Sequence, residues 1–168
     1  MSTTTIRRAV AADADTLASF GARLFASTCD DDTPAAELAA YLSEHFSPDR
    51  QRAEILDPSG CVFVAMEGAE QMLGYVHAIK DTEEMLLNRL YLDERARGTG
   101  LGALLLDAIE TQCRSAGQRK LRLSVFEKNA RAIAFCQRSG LATVGTASFH
   151  IGEDIQSDLI MEKSLQAS

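Results

Sequence analysis

The chain lacks the sequence features that mark several large classes of protein. No stretch of its 168 residues approaches the ~20 consecutive apolar residues that a membrane-spanning helix needs. Residues 1–8 hold no apolar core and do not resemble a secretory signal, so we expect a cytoplasmic protein. The four cysteines are scattered, with no C-x-x-C pair and no histidine in ligand spacing. This scatter argues against a disulfide framework and against a metal site.

Basic charge is also scarce. The net charge is −7, which argues against nucleic acid as a partner, because neutralisation of phosphates dominates that kind of binding. An acidic balance fits a small cationic substrate, and it fits plain solubility equally well. Hydrophobic residues make up 46% of the chain and charged residues 24%, as in ordinary globular proteins. With no linker in view, the length predicts one domain over residues 1–168.

Apolar periodicity predicts three helices in the first third of the chain, then three successive strands, and then two helices separated by a strand and followed by a hairpin. Asp13, Thr33 and Ser47 are the predicted N-caps of the three helices, and Pro34 is expected in the first turn of the second. Strands are predicted at residues 6–9, 61–66, 72–79, 85–92, 121–125, 143–150 and 155–161, with further helices between Gly100 and Gly117 and between Asn129 and Gly140. The helix after Gly100 should bury one apolar face, made of Leu101, Leu104, Leu105, Ala108 and Ile109.

The most informative stretch is the glycine-rich turn that precedes this helix. Backbone N–H groups at the start of a helix have no helical partners, and glycines let a phosphate approach them closely. The turn lacks the Gly-Lys-Ser/Thr ending of a P-loop, and residues 103–105 do not complete a G-x-G-x-x-G. These absences exclude the common kinase and dehydrogenase signatures. The pattern is instead R-x-x-G-x-G, formed by Arg97, Gly100 and Gly102.

A second block of residues follows the strand predicted at 121–125. It reads N-x-x-A-x-x-F, then a glycine and an apolar residue, at Asn129, Ala132, Phe135, Gly140 and Leu141. Asparagine can cap a helix and still present its amide to a ligand. Phe135 is expected in the core, and Gly140 suits the left-handed backbone at the end of a helix. One helix and one strand separate the two blocks.

Both blocks resemble those of the GCN5-related N-acetyltransferases, which use acetyl-CoA. The first block resembles the pyrophosphate-binding motif of that family, and the second resembles its N-x-x-A-x-x-F-Y-x-x-x-G-F block. The resemblance implies a mixed, mostly antiparallel sheet of about seven strands, with helices on both faces. It also implies that the sheet splays at the cofactor site, between the strands at 85–92 and 121–125. Residues 40–47, 127–129 and 148–161 resemble the bacterial spermidine/spermine N-acetyltransferase branch, so the likeness covers nearly the whole chain.

The resemblance further implies a set of cofactor-binding residues. The backbone of Leu90, Tyr91 and Leu92 would pair with the pantetheine arm of acetyl-CoA. The turn would hold the pyrophosphate through Arg97, Gly98, Thr99, Gly100, Leu101 and Gly102. Asn129 and Phe135 would complete the site. Transfer would be direct, with a neutral amine attacking the thioester and without an acyl-enzyme.

The catalytic acid and base are less determined. Cys136 stands where the family usually has the tyrosine that protonates the departing CoA thiolate. The thiol of Cys136 is therefore a candidate proton donor, although a small buried side chain explains it as well, and Tyr91 or solvent could serve instead. Glu83, Glu84 and Glu127 are candidate bases, and each could equally be a solvated surface carboxylate. We favour Glu127, because it follows the strand that borders the cofactor.

Two acidic patches suggest the acceptor. One is Asp30, Asp31 and Asp32, and the other is Glu153, Asp154 and Asp158 on the predicted closing hairpin. The resemblance implies that both border the acceptor end of the cleft, where they would attract a polyamine or a similar small cationic amine. An amino acid, an aminoglycoside-like drug or a protein amine are alternative acceptors. The chain could instead be a non-catalytic regulatory module that binds acetyl-CoA. Homodimers are common in the family, and the sequence leaves the oligomeric state open.

Overall fold

A single seven-stranded sheet organises the computed structural model, which describes residues 4–28, 33–151 and 153–165. The strands are β1 (Thr4–Arg8), β2 (Gly60–Glu67), β3 (Gln71–Asp81), β4 (Glu84–Leu92), β5 (Lys120–Phe126), β6 (Ala142–Ile151) and β7 (Asp154–Ser164). They lie in the order β1-β2-β3-β4-β5-β7-β6. Every pair is antiparallel except β4 with β5. The predicted mixed, mostly antiparallel sheet of seven strands is therefore confirmed.

Five α-helices cover the two faces of this sheet in the described residues. They are α1 (Ala14–Thr28), α2 (Ala35–His45), α3 (Pro48–Leu56), α4 (Leu101–Ser115) and α5 (Ala130–Arg138). On one face, Leu17 and Phe20 of α1 pack with Val64 of β2. On the other face, Ile109 of α4 packs with Leu121 of β5. None of these helices has the length and apolar character needed to cross a membrane.

The sheet opens between its two parallel strands. Strands β4 and β5 pair only over Glu84 to Leu87 and Lys120 to Leu123. On its other side β4 pairs with β3, and this pairing is irregular just beyond Leu87. Ala78 pairs with Leu87 and His77 pairs with Arg89, so Asn88 is an extra residue in a β-bulge. A bulge bends its strand and increases the twist. Beyond it, residues 88–92 and 124–126 line the two sides of a cleft, which confirms the predicted splay.

Helix caps agree with the sequence at two positions and differ at a third. Ser47 accepts a hydrogen bond from the Arg50 N–H, and Asn129 accepts one from the Ala132 N–H, as predicted. Thr33 was predicted to cap α2, but that helix begins at Ala35 with Pro34 at its N-cap. The Thr33 hydroxyl is instead 3.5 Å from Nε2 of Gln156 on β7. The end predicted for the first helix, near Cys29, lies outside the described residues.

The N-terminal end of α1 is fixed by an ion pair. Asp13 immediately precedes the helix, where the sequence placed its N-cap, and its carboxylate accepts hydrogen bonds from the Arg7 side chain and the Val10 N–H. The hydrogen bonds from Arg7 lower the pKa of Asp13. Burial opposes this effect, and the hydrogen bond from the Val10 N–H adds to it. The pair therefore ties β1 to the start of α1.

Candidate active site

Three connected cavities follow the cleft from the glycine turn to the far side of the sheet. The turn cavity, about 220 Å³, is lined by residues that include Arg97, Gly98 and Asn129. The central cavity, also about 220 Å³, lies between β4 and β5. The outer cavity, about 730 Å³, opens beside α2 and α3. The turn and central cavities share Leu90, Tyr91, Asn129, Ala132 and Phe135, and the central and outer cavities share Tyr41, Leu87, Asn88, Arg89, Leu123, Ser124 and Asp158.

The glycine turn presents the start of α4 to the turn cavity. Gly98 and Gly100 have φ angles of 77° and 85°, in the left-handed region that favours glycine. A Cβ atom on either residue would meet nothing within 4 Å, so the space above the turn is open. The first N–H groups of α4, from Leu101 onward, have no partner within the helix by its geometry. The turn is therefore a concave arrangement of free donors at the positive end of a helix dipole.

Three arginines surround this turn. Arg97, Arg131 and Arg138 all line the turn cavity and are exposed, and none forms an ion pair with a residue in the described ranges. The sequence analysis identified Arg97 but missed Arg131 and Arg138. Their spacing of seven residues on α5, two helical turns, places them on one face of the helix and could have indicated them. The result is a basic pocket in a protein of net charge −7.

Gly102 has a different function from the two glycines before it. A Cβ atom there would lie 3.2 Å from Cδ1 of Leu92 and 3.2 Å from Cε1 of Phe135. These distances are tighter than ordinary van der Waals contact. Gly102 therefore lets α4 pack closely against β4 and α5, which positions Leu92 and Phe135 at the cavity wall.

Cys136 lies at the central cavity, as its place in the second motif implied. The residue is only 6% exposed. Burial raises the pKa of its thiol to about 11, so the thiol is protonated at neutral pH. Phe135 and Asn129 of the same motif also line this cavity. The described structure thus brings together Asn129, Phe135, Cys136 and the backbone of β4.

The three glutamates proposed as bases lie outside the linings of these cavities. Glu127 is exposed and follows β5, where its N–H donates to the Ser157 carbonyl. Glu83 is exposed, and Glu84 lies 3.9 Å from the Arg122 guanidinium. Of the acidic patches, Asp30, Asp31, Asp32 and the side chain of Asp154 lie outside what the structure describes. Glu153 is exposed in the β6–β7 turn.

Asp158 is the carboxylate that the fold places in the cleft. It lies on β7, is 8% exposed, and lines both the central and the outer cavity. Its Oδ1 atom has no hydrogen-bond partner among the described residues. Burial, and then the nearby negative charge of Glu127, raise the pKa of Asp158. The sequence had grouped this residue with an acidic patch but had not singled it out.

A buried polar network supports the cleft side of β4. Glu54 of α3 forms a two-point ion pair with Arg89, in which the Nη2 to Oε2 distance is 3.2 Å. Arg89 also lies over the Phe46 ring, 4.9 Å from its centroid. His77 Nδ1 is 3.8 Å from Glu54 and 3.5 Å from the Asn88 amide. The network therefore anchors the bulge at Asn88 to α3.

The buried network also sets the charge of His77. Burial lowers the pKa of His77 to about 4, against the opposing attraction of Glu54. Burial alone would raise the pKa of Glu54, but the hydrogen bonds and charge of Arg89 outweigh it and hold that pKa below its usual range. At neutral pH the network therefore consists of a Glu54 carboxylate, an Arg89 guanidinium and a neutral His77.

The split sheet, the glycine turn and the motif on α5 together define an N-acetyltransferase of the GCN5-related class. The model of the Acetyltransferase (GNAT) family matches residues 15–141. The chain therefore belongs to the GNAT family of acyltransferases.

Relatives in sequence and structure agree with this assignment. The chain is 29% identical over 154 residues to an uncharacterized N-acetyltransferase of Mycobacterium bovis, covering 91% of this chain and 98% of that one. It is 27% identical over 149 residues to an uncharacterized N-acetyltransferase of Lactobacillus delbrueckii subsp. lactis, covering 84% and 86%. The fold is similar to that of the PaiA N-acetyltransferase of Thermoplasma acidophilum, solved in complex with coenzyme A, with a TM-score of 0.85, 22% identity, and coverage of 96% and 99%. It is also similar to the Escherichia coli ribosomal-protein-S18-alanine N-acetyltransferase, with a TM-score of 0.70, 17% identity, and coverage of 99% and 96%.

Proposed function

We propose that this N-acetyltransferase transfers the acetyl group of acetyl-CoA directly to a primary amine, and that the amine is a polyamine or a similar small cation. The observation that supports the proposal best is the continuous cleft through the split sheet, basic at one end and lined by carboxylates at the other. Two substrates can therefore meet in the central cavity from opposite sides. Holding them in reacting geometry would supply much of the rate acceleration.

The residues of the turn cavity fit acetyl-CoA. Free N–H groups at the start of α4 and the side chains of Arg97, Arg131 and Arg138 suit a molecule rich in phosphate. The edge of β4 that faces the cleft, at Leu90 to Leu92, is unpaired with β5 and can receive an extended amide-bearing arm as a strand does. The coenzyme A in the PaiA complex supports the same use of this fold.

The outer cavity favours a cationic acceptor. Each of its arginines has an acidic partner: Arg50 and Arg89 share the carboxylate of Glu54, and Arg122 pairs with Glu162. Its other acidic residues are Asp57, Asp81 and Asp158. With Glu54 and Glu162 included, the acidic residues outnumber the three arginines, so the net formal charge is negative, which favours ammonium groups. The resemblance to the spermidine/spermine branch supports the same acceptor class.

For proton transfer, we propose Cys136 as the donor to the departing thiolate, because it lines the central cavity and carries its proton at neutral pH. The sequence favoured Glu127 as the proton acceptor. Its exposed position means that Glu127 would act on the cleft only through intervening water. The donors facing the carbonyl oxygen would be backbone groups near the bulge at Asn88, where the ladder between β3 and β4 is interrupted.

The proposal is tested by turnover with acetyl-CoA against a panel of amines: spermidine, spermine, a monoamine, free lysine, an aminoglycoside and a peptide amine. Thiol release and the mass of the acetylated product are measured at low and high salt. We expect the polyamines to be the best acceptors and their KM to rise with salt. An Asp57→Asn/Asp81→Asn variant should raise the KM for spermidine more than that for the monoamine, whereas Asp107→Asn, an exposed carboxyl on α4, should change neither.

Two outcomes would contradict different parts of the proposal. Turnover restricted to the monoamine, the amino acid or the peptide would show that the acceptor is not a polyamine. Acetyl-CoA binding in calorimetry without thiol release for any amine would favour a regulatory binding module instead.

A further inference from the structure

Asp158 occupies the junction between the central cavity and the outer cavity. In the sheet it pairs with Phe126 of β5 and with Ala147 of β6, so β7 holds it in a rigid position between two strands. The residue is 92% buried by its 8% exposure, and Oδ1 has no partner in the described part of the chain. Leaving a buried carboxylate oxygen without a hydrogen bond is costly. A ligand that donates to that oxygen would remove this cost.

The surroundings leave this oxygen available to a ligand. Glu127, after β5, is the charge that acts on Asp158. The other charged or titratable groups that line the same two cavities are Arg122 on β5, Arg89 on β4, and Tyr41 and His45 on α2. Arg89 is held by Glu54 and Arg122 by Glu162. The neighbouring positions on β6, Ala147 and Ser148, carry no charge. Within the described residues, Asp158 is therefore a buried carboxylate that forms no ion pair with these arginines.

We propose that Asp158 binds the ammonium group of the acceptor amine and accepts its proton. This inference rests on the proposed acetyl transfer and names the residue that prepares the amine for it. The ammonium gives one proton to the Asp158 carboxylate and becomes a neutral amine. Its nitrogen then forms a bond to the thioester carbon, the carbon–sulfur bond breaks, and the thiolate leaves with the bonding electron pair. The nitrogen loses a second proton, the thiolate gains one, and Asp158 returns its own to solvent.

Because Asp158 is buried, it is better suited to accept this proton than Glu127, which is exposed. A solvated carboxylate is a weak base toward an alkylammonium ion, because water stabilises its charge. Desolvation and the nearby charge of Glu127 raise the pKa of Asp158 and so bring it closer to that of an amine. The same burial lets Asp158 compete for the ammonium with little interference from water. Geometry and environment therefore select the same residue.

The test compares wild type with Asp158→Asn, which keeps the size of the side chain and removes the base. Steady-state kinetics with spermidine and with a monoamine are measured from pH 6.5 to 9.5, and acetyl-CoA affinity is measured by calorimetry. We expect kcat/KM of the variant to fall about 100-fold or more at pH 7, with unchanged acetyl-CoA affinity. The variant must draw on the free neutral amine, so its rate should rise about tenfold per pH unit, and the deficit should shrink as pH rises.

A merely structural role would lower the rate by the same factor at every pH, and that result would overturn the proposal. So would wild-type rates in Asp158→Asn, or a larger and pH-dependent loss in Glu127→Gln. If wild type itself acetylates no amine, the proposed function fails, which is a different outcome from failure of Asp158 alone. Asp107→Asn serves as the matched carboxyl-to-amide control on the exposed side of α4.

Thermal unfolding supplies a second measurement that is independent of turnover. The pKa of Asp158 is raised in the folded state, so stability is lost as pH rises from the unfolded pKa to the folded one, and the whole loss is present above the folded pKa. Asp158→Asn should therefore have a higher Tm than wild type at pH 7, and the difference should vanish below pH ~3.9, the pKa of an unperturbed aspartate. A lower Tm in the variant at pH 7 would show that the Asp158 carboxylate is satisfied within the protein, which contradicts the proposal.

Discussion

The environment of Cys136 limits how well its thiol can act as an acid. Burial raises the pKa of that thiol to about 11, whereas an ordinary thiol has a pKa of ~8.5. Proton transfer from Cys136 to a departing thiolate is therefore uphill by roughly two to three pKa units. Cys136 can hold a proton close to the central cavity, but it is a weaker donor than its position in the motif alone indicates.

We therefore expect Cys136→Ala to lower kcat less than about tenfold and to leave acetyl-CoA affinity unchanged. Cys136→Tyr should retain or raise kcat, because the adjacent central cavity of about 220 Å³ gives the larger ring room to extend. Stopped-flow thiol release for the three proteins checks both expectations. A kcat for Cys136→Ala equal to that of wild type would show that Tyr91 or solvent, and not Cys136, donates the proton to the departing thiolate.

Among the elements, the turn before α4 allows a test that separates backbone strain from ligand binding. Gly100 and Gly68 both have positive φ angles, 85° and 67°, and a Cβ atom on either would meet nothing within 4 Å. Alanine at either position should cost about 1 kcal/mol of folding stability, for the same backbone reason. Only Gly100→Ala should also weaken acetyl-CoA binding, because Gly68 lies in the β2–β3 turn.

Calorimetry and urea unfolding of both alanine variants check this prediction. Equal acetyl-CoA affinity in the two variants would show that the turn at Gly100 does not bind acetyl-CoA. An unequal loss of stability, with intact affinity in both, would point to strain particular to one turn.

Sequence reasoning succeeded where local chemistry decides structure. Ser47, Asn129 and Gly140 follow from capping and turn preferences that act within a few residues. It failed where packing decides: Leu104 was assigned to the buried face of α4 but is 54% exposed, whereas Leu106 is 3% exposed. Thr33 is not the cap, because α2 begins one residue later than predicted and has Pro34 at its N-cap.

The same distinction holds for the site. The position of Arg97 at the turn cavity could be predicted, because it belongs to a contiguous motif. Asp158 could not be singled out, because its burial results from the order β5-β7-β6, in which its strand lies between two others. The spacing of Arg131 and Arg138 puts them on one face of α5, but only the structure shows that this face meets the glycine turn.

At the scale of the whole molecule, the network of Glu54, Arg89 and His77 links the stability of the fold to pH. The pKa of His77 is about 4 in the folded protein and ~6.5 in an unfolded chain. Between these values the unfolded state binds more protons, so the stability that neutral His77 provides above pH ~6.5 is lost as pH falls toward 4. The loss reaches about 2 kcal/mol at pH 5 and about 3 kcal/mol below pH 4.

His77→Gln should therefore flatten the dependence of the unfolding free energy on pH between 7.5 and 5. Urea unfolding at several pH values measures this dependence in wild type and in the variant. His150→Gln, at an exposed position on β6, is the control and should keep the wild-type dependence. The same slope in His77→Gln as in wild type would show that folding does not lower the pKa of His77.

The position of β7 between β5 and β6 also has a consequence for the order in which the protein is made. A chain emerging from the ribosome presents β1 to β4 first, and these strands can pair with their sequential neighbours at once. Strands β5 and β6 emerge before β7, yet each finds its antiparallel partner only in β7. The half of the sheet beyond the cleft therefore closes only after residues 154–164 have been synthesised, and Asp158 arrives on that closing strand. A nascent chain can therefore form the glycine turn before Asp158, the residue that we propose binds the acceptor amine, has been synthesised.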